Sequence, residues 1–357
     1  MIKKIIKILS VIFLLIILSI VYLSFIGIKT KKFNESITNN VLKINKKIHL
    51  NLKDIKFLLN PLNFTANIKT NNSIIFLGDK ELEIRSIKTN ISLKSLIFDE
   101  FSVDEVQIST KPILLNDIIL LVKSFKNSTE LFLLDRAVKA GFLVADINLK
   151  FDDNGEIEDN YQINGFIKDG KLNLLNQLSI NNLNLHFNIA KKKYSLKELN
   201  AEIDDVKFSS PLIEINEKKD LFFIKGKILT NEKNFTGDQF NMIFTKYLKN
   251  PKVEKAIFSS ENKISFNVSK KLKLNNLNIK SKINLNKLVV KNNFINLRSH
   301  LPNFNELINL EKHNIVINYY KDKLDIKGSG KILIKNKFDF INYQIKKNKN
   351  KFIFDTK

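Results

Sequence analysis

Along most of this 357-residue chain, apolar and polar residues alternate one for one, and that period of two constrains the fold more than any other feature. Leu62, Phe64, Ala66 and Ile68 alternate with Asn63, Thr65, Asn67 and Lys69. Ile87, Thr89, Ile91 and Leu93 alternate with Lys88, Asn90, Ser92 and Lys94. The pattern returns at Leu183, Leu185, Phe187 and Ile189, at Ile264, Phe266 and Val268, and runs on through Ile315, Ile317 and Tyr319 to Ile332 and Ile334. Successive side chains of a strand point to opposite faces, so each segment has one apolar face and one Lys/Asn face. Roughly 15 to 18 strands at a spacing of about 10 to 15 residues predict an antiparallel meander in place of βαβ units. Asp153-Asn154-Gly155 and the run Lys168-Asp169-Gly170-Lys171 carry the dipeptides of tight hairpin turns.

Helical spacing is confined to short stretches. Ile118, Leu121, Val122 and Phe125 form one, with a second around Leu131 to Val138. Phe240, Ile243, Phe244, Tyr247 and Leu248 form another, stopped by Asn250-Pro251. A short helix is expected after Pro302, carrying Phe304, Leu307 and Ile308. The expected insertions therefore lie near 113–140, 238–250 and 302–311. With about three large apolar side chains per strand, burying the common face is worth on the order of 70 to 130 kcal/mol. Three or four short helices cannot cover that much surface. The sheet must pack on a second sheet, close into a barrel, or curl into an open trough that holds acyl chains.

The N-terminus supplies a reason for acyl chains to be at hand. Ile8 to Ile28 is a run of 21 residues without a charge, and at 1.5 Å per residue it spans about 30 Å, the thickness of a bilayer core. Lys3, Lys4 and Lys7 precede it, as in a signal peptide. The run is longer than a usual apolar signal region, however, and no small-x-small cleavage site precedes Lys29. The expected organisation is a cytoplasmic tail and transmembrane signal anchor over 1–28, an amphipathic stalk helix over 29–46 (Phe33, Ile37, Val41 and Ile44), and an exported β-rich domain over 47–357. The zero cysteine count accords with an oxidising periplasm.

The formal charge of +23 raises the question of nucleic acid. Only Arg85, Arg136 and Arg298 among 59 basic residues are Arg, and the planar fork that reads phosphates and guanine edges belongs to Arg. Basic runs such as Lys191 to Lys193 and Lys346 to Lys351 lack interleaved aromatics for base stacking. The charge reads as solvation of the polar faces with attraction for anionic membranes, and no nucleic-acid partner is expected. His49, His186, His300 and His313 are scattered without ligand spacing, so neither a metal nor another cofactor is expected. Asp152, Asp153, Asn154, Gly155, Glu156 and Glu158 lack the oxygen spacing of an EF-hand. Asp204 and Asp205 are adjacent and would point to opposite faces of a strand. No nucleophile elbow, P-loop or dinucleotide glycine pattern occurs, and no enzymatic activity is expected.

The segment from Leu82 to Pro112 has a further character. An alternating strand runs into Ser92-Leu93-Lys94-Ser95-Leu96, followed by a strand pair with Val103, Val106 and Ile108, and then Pro112. This arrangement resembles the N-terminal region of the AsmA-like family of bridge-like lipid transfer proteins, and the hairpin around Tyr161 to Leu175 followed by Leu183 to Phe187 is similar to that family's central repeats. The resemblance covers about 70 residues in motif and most of the chain in style. It implies a mainly β fold: an N-terminal transmembrane helix followed by a long, curved antiparallel β-sheet forming a taco-like groove, with a few short helices. It also implies an inner-membrane-anchored periplasmic protein that binds or transfers phospholipid and supports outer-membrane lipid homeostasis. Its partners would be phospholipid acyl chains, the inner membrane and an outer-membrane or periplasmic protein. The groove-lining positions expected are Leu62, Phe64, Ile68, Ile87, Ile91, Leu93, Leu183, Leu185, Phe187, Ile264, Phe266 and Val268. The alternative function is an envelope scaffold that assists outer-membrane protein assembly by offering strand edges to a partner. At ~4.8 Å per strand, 16 strands extend about 75 to 80 Å.

Overall fold

The alternating segments are strands. The computed structural model describes residues 2–32, 34–93, 103–125, 128–152, 158–174, 178–203, 206–219, 221–244, 253–270, 273–291, 307–334, 337–348 and 351–356. Over those residues the fold is mainly β, with 19 strands assigned to one open antiparallel sheet and five helices. The chain divides into two compact units, residues 1–172 with 186–191 and residues 173–185 with 192–357.

The first unit begins with helix α1 (Ile2–Phe25), whose span Lys3–Phe25 is long and apolar enough to cross a membrane. Gly27, at φ +74°, turns the chain into β1 (Ile28–Thr30). The stalk expected over 29–46 is therefore shorter and separate from α1: residues 28–30 pair in the sheet, and helix α2 covers Asn34–Ile44. Helix α2 is tied down by its polar side chains, Asn34 Nδ2 donating to the Leu52 carbonyl at 2.9 Å and Thr38 Oγ1 to the Leu50 carbonyl at 2.9 Å.

Strands β2 (Ile48–Asn51) and β3 (Ile55–Asn60) share one edge of β4 (Thr65–Leu77), β2 facing Ile74–Leu77 and β3 facing Thr65–Thr70. The ladder continues through β5 (Lys80–Ser92) and β6 (Val103–Thr110) to β8 (Val138–Lys150), which also pairs with the short β7 (Ile113–Leu114) and with β9 (Gln162–Leu174). Helices α3 (Leu115–Phe125) and α4 (Thr129–Ala137) fill the expected insertion near 113–140. Ser128 caps α4, its Oγ accepting from the Leu131 N–H.

After β10 (Leu178–Ala190), the second unit is a meander in chain order: β11 (Lys193–Ile203), β12 (Val206–Lys218), β13 (Leu221–Thr236), β14 (Val253–Ser269), β15 (Leu274–Lys291), β16 (Leu307–Tyr320), β17 (Lys323–Ile334), β18 (Lys337–Asn348) and β19 (Lys351–Thr356). Its helix α5 covers Gly237–Phe244, the first half of the insertion expected at 238–250; residues 245–250 lie outside the described residues.

Three local expectations are corrected. The helix placed at 302–311 is not formed at Leu307 and Ile308, which are paired in β16 against Lys291 and Val290; 302–306 lie outside the described residues. Extended pairing with a neighbouring strand overrides a spacing that fits a helix only weakly. Lys168-Asp169-Gly170-Lys171 is not a hairpin turn but the interior of β9, where Asp169 takes φ +53° and β8 carries an irregularity at Gly141. Leu62 and Phe64 are not in a strand: residues 61–64 form the turn between β3 and β4. The expected turn at Asp153-Asn154-Gly155 lies outside the described residues. Among those described, tight turns use Lys191-Lys192 and Lys321-Asp322, all four at positive φ, the backbone that matches strand twist in a two-residue hairpin.

Candidate functional site

One device recurs inside the strands. Asn72, Asp169, Asn182, Glu198, Asn276 and Lys312 each take a positive φ in mid-strand. The alternation slips there by one residue, so that the side chains before and after the break, three apart, share a face. Thr70 and Ser73 show this directly, their buried hydroxyls meeting at 3.2 Å across Asn72. In β16 Leu310 stands opposite Leu288 and His313 opposite Leu285, so the slip at Lys312 is matched in β15. The device keeps the inward face of a strand continuous past an irregularity that would otherwise swap its two faces.

In the first unit this face is partly roofed. Ile118 and Leu121 of α3 pack on Leu82, Ile84 and Ile113, while Leu115 and Ile119 pack with Val138, Leu143 and Ile167. Ile68, Ile87 and Ile91, three of the expected lining positions, share one face: Ile68 opposite Thr89, Thr70 opposite Ile87 and Ala66 opposite Ile91. Ile91 is buried, Ile68 and Ile87 half-buried, as is Leu93, whose N–H donates to the Phe64 carbonyl at 2.8 Å. Leu62 and Phe64 do not join them; they stand 91% and 69% exposed in the turn. Phe187 is half-buried, and a Cβ on Gly165 would come within 2.6 Å of its ring.

In the second unit Leu183 and Leu185 are buried. Ile264, Phe266 and Val268 lie together on one face of β14, Ile264 between Gly226 and Ile279 and Phe266 beside Ile224. The row runs on across neighbouring strands: Leu196, Ile213, Gly226, Ile264, Ile279, Tyr319 and Leu324 stand opposite one another in register. A parallel row joins Ile317, Ile326, Ile345 and Phe354. The Ile and Leu side chains on β11 to β18 in these rows are half-buried. That is the exposure of side chains packed along a sheet, and among the described residues no second layer lies over them. Among the described residues, helix α5 covers one end of this face, where Phe240 packs on Val206, Phe235, Val253 and Ala256, and Phe235 stacks on Phe258 with centroids 4.7 Å apart.

The opposite face is basic. Lys227, Lys263 and Lys280 stand in register on three successive strands. Lys225 pairs with Glu214 and Lys227 with Glu261, each at 3.0 Å. The hydrogen bond from Lys227 holds the Glu261 carboxyl below its ordinary range. A shallow depression of about 560 Å³ among Asn278, Lys280, Asn318, Tyr320 and Lys346 lies on this face, between long polar side chains. Among the described residues no three His, Asp or Glu side chains are grouped to hold a metal ion. His313 is buried in β16, with Nε2 3.0 Å from the Lys331 carbonyl and Nδ1 3.4 Å from the Tyr343 hydroxyl. A carbonyl only accepts, so Nε2 carries the proton and Nδ1 accepts from Tyr343. Burial pushes the Tyr343 hydroxyl above its ordinary range.

Periodicity located Ile264, Phe266 and Val268 but passed over Ile213, Ile215, Ile224 and Ile279, which share their face. Ile213-Glu214-Ile215 and Ile224-Lys225-Gly226-Lys227-Ile228 carry the same period of two, whereas Ile279 follows the three-residue step Leu274-Asn-Asn-Leu277. No family model, no curated protein and no solved structure matches the chain.

Proposed function

We propose that this is a membrane-anchored, non-enzymatic protein that binds phospholipid acyl chains on the apolar face of its sheet and passes lipid along it. One observation carries the reading: from β12 to β18 a continuous Ile-rich face is packed laterally and left half-buried. Covering each such side chain removes some tens of Å² of apolar surface, or about 1 kcal/mol at ~25 cal/mol per Å². A dozen of them together are on the order of 10 kcal/mol, comparable to the stability of a whole domain. An apolar face of that size is rare on a soluble monomer and marks an interaction surface. In a chain whose N-terminal helix is long and apolar enough to span a bilayer, acyl chains are the most available cover. Anchorage in an inner membrane with the sheet in the periplasm, as the AsmA-like resemblance implies, belongs to the same proposal.

Lipid retained by the full chain, extracted and weighed by mass spectrometry, tests the reading. Phe266→Asp places a charge on the apolar face and should lower retained phospholipid severalfold. Lys263→Asp, on the opposite face, should leave it unchanged. Equal lipid in both folded variants contradicts the proposal.

A further inference from the structure

The turn between β3 and β4 points to a second contact with the bilayer. Ile28 stands opposite Phe57 and Thr30 opposite Ile55, so β3 runs back toward α1 as it proceeds to Asn60. On α1 most side chains are exposed, but Ile20, Leu23 and Ser24 are half-buried and Gly27 is buried. Those positions form one helical stripe, and α1 packs against β3. Gly27 allows the approach: a Cβ there would lie 2.3 Å from the Phe57 carbonyl oxygen and 2.8 Å from Leu58 Cδ2. From Phe57 to Asn60 the strand advances about 10 Å, and the same distance along a helix is about seven residues. Residues 61–64 therefore lie beside the last two turns of α1, within the apolar span.

The turn carries side chains suited to that depth. Turns favour Gly, Asn, Asp and Ser, yet this one presents Leu62 at 91% and Phe64 at 69% exposure. Phe64 holds φ +50°, a conformation bulky residues rarely adopt. Just behind the turn, at the C-terminal end of α1, Lys29 stands directly opposite Lys56. The row continues through Lys69 and Lys88; like charges directly opposite are destabilising, and anionic lipid phosphates at that level of a bilayer would offset them.

We infer that the β3–β4 turn inserts Leu62 and Phe64 into the bilayer leaflet at the C-terminal end of α1, with Lys29 and Lys56 at its headgroups. The inference rests on α1 spanning the membrane and is independent of lipid transfer along the sheet. It also places the start of β4, with Ala66 and Ile68, at the leaflet surface.

The chain has no Trp, so Phe64→Trp gives a single reporter. The full-length variant is placed in nanodiscs of phosphatidylcholine and phosphatidylglycerol brominated on the acyl chains. Asp79→Trp, at the other end of the 13-residue strand β4, serves as the distant control. Trp at position 64 should be quenched severalfold by the bromines and Trp at position 79 should not. Leu62→Trp, at an exposed position of the same turn, provides a second reading if the first variant folds poorly. Phe266→Trp reports lipid on the β14 face separately, so quenching there with none at 62 or 64 overturns the insertion alone. Quenching at 62 and 64 no greater than at 79, in variants with wild-type circular dichroism, overturns it.

Discussion

His313 and Gly330 show how single residues shape the apolar face. A Cβ on Gly330 would lie 2.3 Å from His313 Cδ2 and 2.7 Å from its Cα. The second distance is to backbone, which cannot swing aside as a side chain does. Gly330→Ala should therefore destabilise the chain by about 1 to 3 kcal/mol, read as a lower urea midpoint. Ser329→Ala, one residue away and half-buried, should change stability by less than about 0.5 kcal/mol. Equal shifts would show that the ring does not rest on Gly330. Gly328 plays a related part beneath Tyr343, whose ring a Cβ would meet at 2.2 Å. Neither glycine announces itself in the sequence, since Gly328-Ser329-Gly330 reads as ordinary loop chemistry inside a strand. Only the register places an aromatic side chain over each.

At the level of the element, alternation made the strands legible and its interruptions concealed their details. Leu183, Leu185 and Phe187, or Ile264, Phe266 and Val268, follow the strand period without a break, and all lie in strands. Asp169-Gly170 matched hairpin chemistry but sits inside β9, because a positive φ serves a mid-strand slip as well as a turn. Conversely, Lys191-Lys192 and Lys321-Asp322 form tight turns without glycine, and the strands β16 and β17 around the second are each held by long ladders. The polar residues at the slips tolerate positive φ at modest cost when they are Asn or Asp. Asn276→Ile in β15 should cost more than about 1 kcal/mol, whereas Asn318→Ile, at an ordinary strand position in β16, should be neutral or stabilising. Unfolding midpoints of the two variants compare them, and an equal cost would mean that Asn276 bears no conformational constraint.

For the molecule as a whole, the period of two accounts for both faces of the sheet. Its polar half carries much of the +23 charge as Lys rows partly paired with Glu, and its apolar half asks for cover that the five described helices provide only locally. The first unit meets that need in part with α3, and the second leaves β12 to β18 half-buried. Acyl chains on that face are the central claim, and residue-resolved photo-crosslinking in membranes tests it most directly. A benzophenone side chain introduced at Phe266 or Ile215 of the full-length chain should capture phospholipid on irradiation, and one at Lys263, on the opposite face, should not. Capture equal on the two faces, or no lipid at Phe266 and Ile215, would contradict the account.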